Sequence, residues 1–275
     1  MNDTIGTLAL VGGGVMGEAI LKRLLAAGLC RATEVRVAEV SAPRRDSLTH
    51  TYGVTCTEDI LPAVQDADTV LLSVKPQNLA DVYAACAGKL HQRQLVLSIV
   101  AGATLSALTS GLDHPTVVRV MPNTPAQIGQ GMSVWTAAPH VTDAHKAVAK
   151  QVLAAVGDEL YVATEHYVDM ATAINGSGPA YVFLFIEALI DAGVHIGLAR
   201  DVAERLALQT VVGSAQFAKE TLLHPATLRN MVTSPGGTTT EALLELQRGG
   251  LPATIIQAVT AAYQKSLALG REEHP

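Results

Sequence analysis

Two rhythms of apolar residues divide the 275-residue chain. Up to about Ala163, short and nearly unbroken apolar runs alternate with stretches of helical spacing; beyond it, helical spacing takes over. Thr7–Val11, Val35–Ala38, Thr69–Val74, Leu95–Val100, Thr116–Met121, Gly131–Thr136 and Leu160–Ala163 read as strands. Continuous apolar runs of this length suit parallel strands covered on both faces. Met16–Ala27 carries Ile20, Leu21, Leu24 and Leu25 at helical spacing, with Gly28 to cap it, and Thr142–Val156 reads as another helix. The alternation predicts an α/β domain over residues 1–163, a Rossmann-type doubly wound parallel sheet. Four helices are expected after it: Pro179–Val194, Asp201–Lys219, Thr239–Gln247 and Pro252–Leu269. The first is apolar nearly all round (Tyr181, Val182, Phe183, Leu184, Phe185, Ile186) and should be buried on several sides. A unit of this size has too little else to cover it, so residues 164–275 are expected to form an all-α domain that pairs with a second copy.

Composition narrows the function. At 49% hydrophobic and 16% charged, the chain can build a core and is not disordered. The formal net charge of -6 comes without a basic footprint, which argues against nucleic acid or an anionic membrane as partner. The uncharged stretch Met170–Ile186 is expected to be too short for a membrane span and to be broken by Asn175, Gly176, Ser177, Gly178 and Pro179. No secretory signal is expected, because the first apolar run leads straight into a glycine loop. Cys30, Cys56 and Cys86 are far apart and form no CxxC pair; they suit a reducing cytoplasm and read as packing residues. The nine histidines show no HExxH or close ligand spacing, so no metal site is expected, and no GxSxG motif supports hydrolysis.

The chemistry lies in glycine-rich turns. Gly12-x-Gly14-x-x-Gly17 stands between a strand and a helix, where a dinucleotide fingerprint belongs. Gly12 permits the turn, Gly14 lets backbone approach a pyrophosphate, and Gly17 lets helix and strand pack. Val15 and Met16 belong to the same candidate site. Glu39 ends the second strand, 22 residues after Gly17, where a carboxylate accepts the ribose hydroxyls of NAD. Arg44 and Arg45 follow closely and suit the 2′-phosphate of NADP, or else are a solvated helix start. The choice stays open, leaning to NADP. Ser73-Val74-Lys75-Pro76, Val100-Ala101-Gly102 and Met121-Pro122-Asn123-Thr124-Pro125 end further strands on the same sheet edge and are expected around the nicotinamide.

Two more turns precede helices in the second half: Asn175-Gly176-Ser177-Gly178-Pro179, and Thr233-Ser234-Pro235-Gly236-Gly237-Thr238-Thr239-Thr240. Each offers hydroxyls and free N–H groups at a helix start, enough to hold a small carboxylate without arginine. Capping alone explains one hydroxyl per helix; it does not explain paired glycines followed by three threonines.

These motifs, in this order and over essentially the whole chain, resemble the pyrroline-5-carboxylate reductase family. GSGPAY (Gly176–Tyr181) and SPGGxT (Ser234–Thr239) are its specific segments; the glycine loop alone is not. The resemblance implies reduction of 1-pyrroline-5-carboxylate to L-proline with NAD(P)H. It implies a site where the cofactor domain meets helices of a homodimer, with larger rings in some members. Carried over by motif, Gly176, Ser177 and Gly178 hold the substrate carboxylate, with Ser234, Gly236, Gly237 and Thr238 counted beside them. Thr239 hydrogen-bonds the ring nitrogen as the catalytic residue. Lys75, Pro76, Ala101, Gly102 and Asn123 line the dinucleotide. Asn175 departs from the pattern, since many relatives carry Ser or Gly there; an amide can still donate to a carboxylate, so activity is expected to survive.

Other readings have less support. Enzymes acting on β-hydroxy acids share the domain order but use a lysine within a long helix, and no lysine lies between Lys150 and Lys219. Glu187 and Asp191, four apart on the apolar helix, can serve as an acid–base pair but more simply mark a helix edge. A relict that only senses cofactor should have lost a glycine segment or Thr239, and both are present.

Overall fold

The computed structural model describes residues 4–272. The chain divides into two compact units: one runs up to Ser177 and resumes at Ala262, the other is Gly178–Ala261.

The first unit is built on eight strands: β1 (Leu8–Val11), β2 (Val35–Ala38), β3 (Thr55–Thr57), β4 (Thr69–Leu72), β5 (Leu95–Ser98), β6 (Val117–Met121), β7 (Gly131–Ala137) and β8 (Gly157–Tyr161). They lie in the order 3-2-1-4-5-6-7-8. Strands β1 to β6 are parallel, as the crossovers through α1 (Val15–Ala26), α2 (Ala42–Tyr52), α3 (Ile60–Val64), α4 (Leu79–Cys86) and α5 (Leu105–Leu112) require. Their order is that of a dinucleotide-binding sheet, with the switch point between β1 and β4. The sheet is not parallel throughout, as expected from sequence: β7 runs antiparallel to β6, with Met121 opposite Val134. The short segment 122–130, partly a 3₁₀ turn (Thr124–Ile128), has no room for a crossover helix, so the chain must return. Helix α6 (Asp143–Ala154), whose first turn is capped by Thr142 Oγ1 accepting from the His145 N–H, then brings β8 parallel to β7.

The alternation of side chains explains why the strand runs are apolar without a break. Leu8 and Leu10 pack into one core with Ile20, Leu24 and Leu48; Ala9 and Val11 pack into another with Val70, Leu72 and Val96. Both faces of β1 are therefore dry. Beneath the second core lies a buried polar knot. Gln94 donates to the carbonyls of Val64 and Ala67 (both 2.7 Å), and His114 Nε2 stands 2.8 Å from the Gln94 carbonyl.

Five helical elements follow β8 before the last helix: α7 (His166–Ala171), α8 (Gly178–His195), α9 (Arg200–Thr221), α10 (Pro225–Met231) and α11 (Thr238–Arg248); the last is α12 (Leu251–Glu272). Contrary to the sequence expectation, the stretch around Asn175–Pro179 does not break the helix, and His166–His195 is helical for 30 residues. By length and composition this span is long and apolar enough to cross a membrane. A π turn, Thr172–Gly176, takes up the glycines and is closed by the Ser177 N–H on the Thr172 carbonyl at 2.9 Å. Pro179 then falls in the first turn of α8, where a missing N–H costs nothing. Helix α8 leaves Phe183, Leu184 and Phe185 exposed in the single chain, and only Ile190 is buried along it.

Burial holds the His114 pKa below the ordinary histidine value, against the opposing pull of the Gln94 carbonyl. The unfolded chain therefore takes up this proton first. The contribution of His114 to stability is complete above its unfolded pKa of about 6.5 and is lost as pH falls through the lower folded value. His114→Gln should shrink the loss of unfolding free energy between about pH 7.5 and 5.5, measured by urea denaturation at both pH values.

Candidate active site

The site begins where β1 ends. Gly12 adopts φ +93°, and a Cβ there would meet the Ser73 carbonyl oxygen at 2.6 Å, so β1 and the end of β4 touch backbone to backbone. Gly14 is the N-cap of α1 and makes no side-chain cap; a Cβ there would meet nothing within 4 Å. The helix start thus presents unclaimed N–H groups beside open space, which is what a phosphate needs.

Glu39 and Arg44 hold this loop from two sides. Glu39 Oε2 accepts the Gly13 N–H at 2.8 Å and Oε1 accepts the Ser41 N–H at 2.9 Å. Arg44 Nε donates to the Gly13 carbonyl at 2.7 Å, and its other nitrogen pairs with Glu18, which also accepts from Tyr52 at 2.9 Å. Burial works to raise the Glu18 pKa, but the bonds from Arg44 and Tyr52 and the charges of Arg44 and Lys22 outweigh it and hold it low. Arg45 donates to the carbonyls of Glu39 and Val40 (2.8 Å each) and pairs with Glu58 at 3.1 Å. All three side chains are engaged within the unit, and no motif in the sequence signals these bonds to the main chain.

Two clefts open on this edge of the sheet. The larger, about 370 Å³, is lined by Gly12, Gly14, Glu39, Val40, Ser73, Val74 and Lys75. The smaller, about 260 Å³, shares Ser73 and Val74 and adds Met16, Met121, Asn123 and Gly176. Most of the residues expected at the dinucleotide are therefore brought together. Pro76 instead lines a separate hollow with Leu79, Tyr83 and Gly111. Gly102, at φ +83°, is buried against Leu269 and Gly270 of α12, and half-buried Ala101 precedes it.

Asn175 has no side-chain N–H left to donate to a substrate carboxylate. Its Nδ2 donates to the carbonyls of Met121 (2.8 Å) and Met132 (3.0 Å), and its Oδ1 accepts from Asn123 Nδ2 at 2.9 Å. Gly176, next along the π turn, lies against the Met121 side chain; a Cβ there would meet Met121 Cε at 2.4 Å. Ser177 follows, half-buried.

In the second unit, the turn before α11 is folded on itself. Thr240 Oγ1 donates to the Ser234 carbonyl at 2.8 Å, and the Gly237 N–H donates to the same carbonyl at 3.1 Å. Gly237 is the N-cap and makes no side-chain cap, so α11 also starts with unclaimed N–H groups. Gly236 stands at φ +68°, Gly178 opens α8, and Ser234 and Thr238 are exposed. Thr239 is half-buried, and its hydroxyl has no hydrogen bond among the described residues. Asp191 pairs with Arg200 at 3.2 Å on the α8 edge. Burial pushes the Cys30 and Cys86 thiols up to about 11, so both stay protonated and act as packing residues.

Comparison with known proteins gives the same picture by another route. A family model described as "Pyrroline-5-carboxylate reductase dimerisation" matches residues 165–269, and one described as "NADP oxidoreductase coenzyme F420-dependent" matches residues 7–102. The chain is 45% identical to a pyrroline-5-carboxylate reductase of Synechocystis over 96% of its own length and 98% of the relative's. Among solved structures, the pyrroline-5-carboxylate reductase of Coxiella burnetii is similar at a TM-score of 0.87 and 34% identity, covering 97% of this chain and 99% of that one. The pyrroline carboxylate reductase of Plasmodium falciparum, solved with NADP bound, is similar at 0.89 and 30% identity, covering 98% and 100%.

The geometry of the glycine loop separates folding from binding. Gly14→Ala should change unfolding free energy by only about 0.5 kcal/mol yet weaken dinucleotide affinity by about tenfold or more, because the added methyl fills the space the phosphate needs. Gly12→Ala should instead cost about 1–3 kcal/mol of stability through its positive φ and the Ser73 carbonyl. Fluorescence titration with NADPH and urea denaturation measure the two effects.

Proposed function

The chain belongs to the pyrroline-5-carboxylate reductase family, and we propose from this how its residues share the work. It is an oxidoreductase that reduces 1-pyrroline-5-carboxylate to L-proline with NADPH, the last step of proline biosynthesis. The observation that carries the assignment of residues is the smaller cleft. There Gly176, from the segment expected to hold substrate, stands with Met16, Ser73, Val74 and Asn123, from segments expected to hold the dinucleotide.

The residues fit the cofactor. In this reading the uncapped start of α1, at Gly14, Val15 and Met16, takes the pyrophosphate. Glu39, Arg44 and Arg45 shape the ribose end, with NADPH preferred and NADH an alternative donor. Lys75, Pro76, Ala101, Gly102 and Asn123 complete the dinucleotide site. When bound, the reduced nicotinamide supplies the hydride. Residues 1–163 form the dinucleotide domain and residues 164–275 the substrate-binding and dimerisation domain.

Reduction of the ring adds a hydride to the imine carbon and leaves the proton and the former π pair on nitrogen. A cyclic imine is readily protonated, so the protein need not supply a strong acid. Hydroxyls and main-chain N–H groups suffice. Gly176, Ser177 and Gly178, with Ser234, Gly236, Gly237 and Thr238, hold the carboxylate; Thr239 hydrogen-bonds the ring nitrogen. Its unpartnered hydroxyl supports that role. The remaining acceleration comes from orientation of the imine carbon. The exposed apolar face of α8 supports pairing of two copies through the helical unit, with larger rings as a further step of assembly. The free thiols of Cys30, Cys56 and Cys86 support a reducing, cytoplasmic location.

Oxidation of NADPH by the purified protein in the presence of 1-pyrroline-5-carboxylate tests the assignment; dinucleotide binding without turnover would contradict it. Thr239→Ala should lower kcat by about thirtyfold, equivalent to ~2 kcal/mol, while the Kd for NADPH changes little. Full activity in that variant would remove Thr239 from the mechanism.

A further inference from the structure

We infer that Asn175 is a positioning residue for the reduction: it fixes the carboxamide of Asn123 and the π turn bearing Gly176 at the wall of the smaller cleft. The inference rests on the reaction proposed above and concerns how the site is held ready for it.

The hydrogen bonds allow only one orientation of each amide. The carbonyls of Met121 and Met132 can only accept, so both must face Asn175 Nδ2, which carries two N–H groups and thereby spends both. Asn175 Oδ1 is left toward Asn123 and can only accept, so Asn123 must turn Nδ2 to it. Asn123 Oδ1 then receives the Met132 N–H at 2.8 Å. The four bonds form a closed, directional set: reversal of the Asn175 amide would set like groups against each other at three contacts, and reversal of the Asn123 amide at two. Asn175 is buried at 8% exposure, where a lost partner is not replaced by water.

The set ties together pieces that are remote in sequence. Met121 ends β6, Met132 belongs to β7, Asn123 opens the turn between them, and Asn175 sits in the π turn. Gly176 follows directly and packs on the Met121 side chain, so the position of its main chain depends on the same anchor. Asn123, Met121 and Gly176 all line the smaller cleft. Two bonds on Asn123 leave one N–H and one Oδ1 lone pair uncommitted among the described residues, held in a fixed direction before any ligand arrives.

Other side chains fit the anchor less well. Serine carries one O–H donor and lone pairs that can accept from Asn123, but its oxygen stands one bond nearer the main chain, so it can restore the set only in part. Alanine restores none of it. Aspartate, ionised, would set an acceptor against two carbonyls.

The test uses the full chain. Asn175→Ala should lose about tenfold or more in kcat/KM, chiefly in kcat, whereas Asn175→Ser, which restores part of the set, should lose less. In the Asn123→Ala background the loss from Asn175→Ala should be clearly smaller, because one of the two elements through which it acts is gone. A second readout needs neither substrate nor cofactor: in the cofactor-free protein, the Asn123 side-chain N–H bonded to Asn175 should exchange more slowly than the uncommitted one, and Asn175→Ala should speed it. Unaltered kcat/KM in Asn175→Ala, equal losses in both backgrounds, or Asn123 exchange indifferent to the change would overturn the inference. Turnover by the unaltered protein is the control and reports on the reaction itself, so a loss confined to the variants bears on Asn175 alone.

Discussion

The cofactor half of this protein depends on backbone touching backbone at the switch point of its sheet. Gly12 stands so close to the Ser73 carbonyl that no side chain fits between them. That contact draws the ends of β1 and β4 together and aims α1 with its bare N–H groups toward the cleft they border. The loop is also held from outside, by Glu39 on the Gly13 N–H and Arg44 on the Gly13 carbonyl. A loop fixed on both sides needs little reorganisation to receive a phosphate, and binding energy is kept for orientation.

Much of this was legible in the sequence, for identifiable reasons. Strands buried on both faces cannot hide: β1, β4 and β5 appear as nearly continuous apolar runs, and β2 and β6 are each broken by one arginine, Arg36 exposed and Arg119 buried. Strand β3 (Thr55–Thr57) was missed because it is a short edge strand of polar character, and a three-residue Thr-Cys-Thr run has no period to read. The antiparallel turn of β7 was missed because strand direction lies in the length of the connection, not in the strand. The glycine fingerprint and the Asn123 and Gly176 segments were visible as motifs, and the structure brings them to one edge. What no motif carried was the traffic between side chains and main chain: the bonds of Glu39, Arg44 and Arg45, and above all the anchoring of Asn175. Such bonds join residues dozens of positions apart, and only the fold shows that they meet.

The helical span His166–His195 shows how one feature serves two ends. Its glycines and proline suggest a break, but Gly176 is taken up by a π turn and Gly178 and Pro179 by the first turn of α8. The π turn presents Gly176 and Ser177 while the helix continues into α8. The apolar surface that α8 leaves open within one chain lies inside residues 165–269, which the dimerisation family model matches.

The central claim is that a hydride passes directly from reduced nicotinamide to the imine carbon of a ring acid held by main-chain amides and hydroxyls. NADPH deuterated at the transferred position of C4, incubated with the protein and 1-pyrroline-5-carboxylate in ordinary water, tests it by mass spectrometry of the product. The account predicts proline with one deuterium, on the ring carbon beside nitrogen and remote from the carboxylate. Proline without the label, or label scattered into solvent, would contradict it.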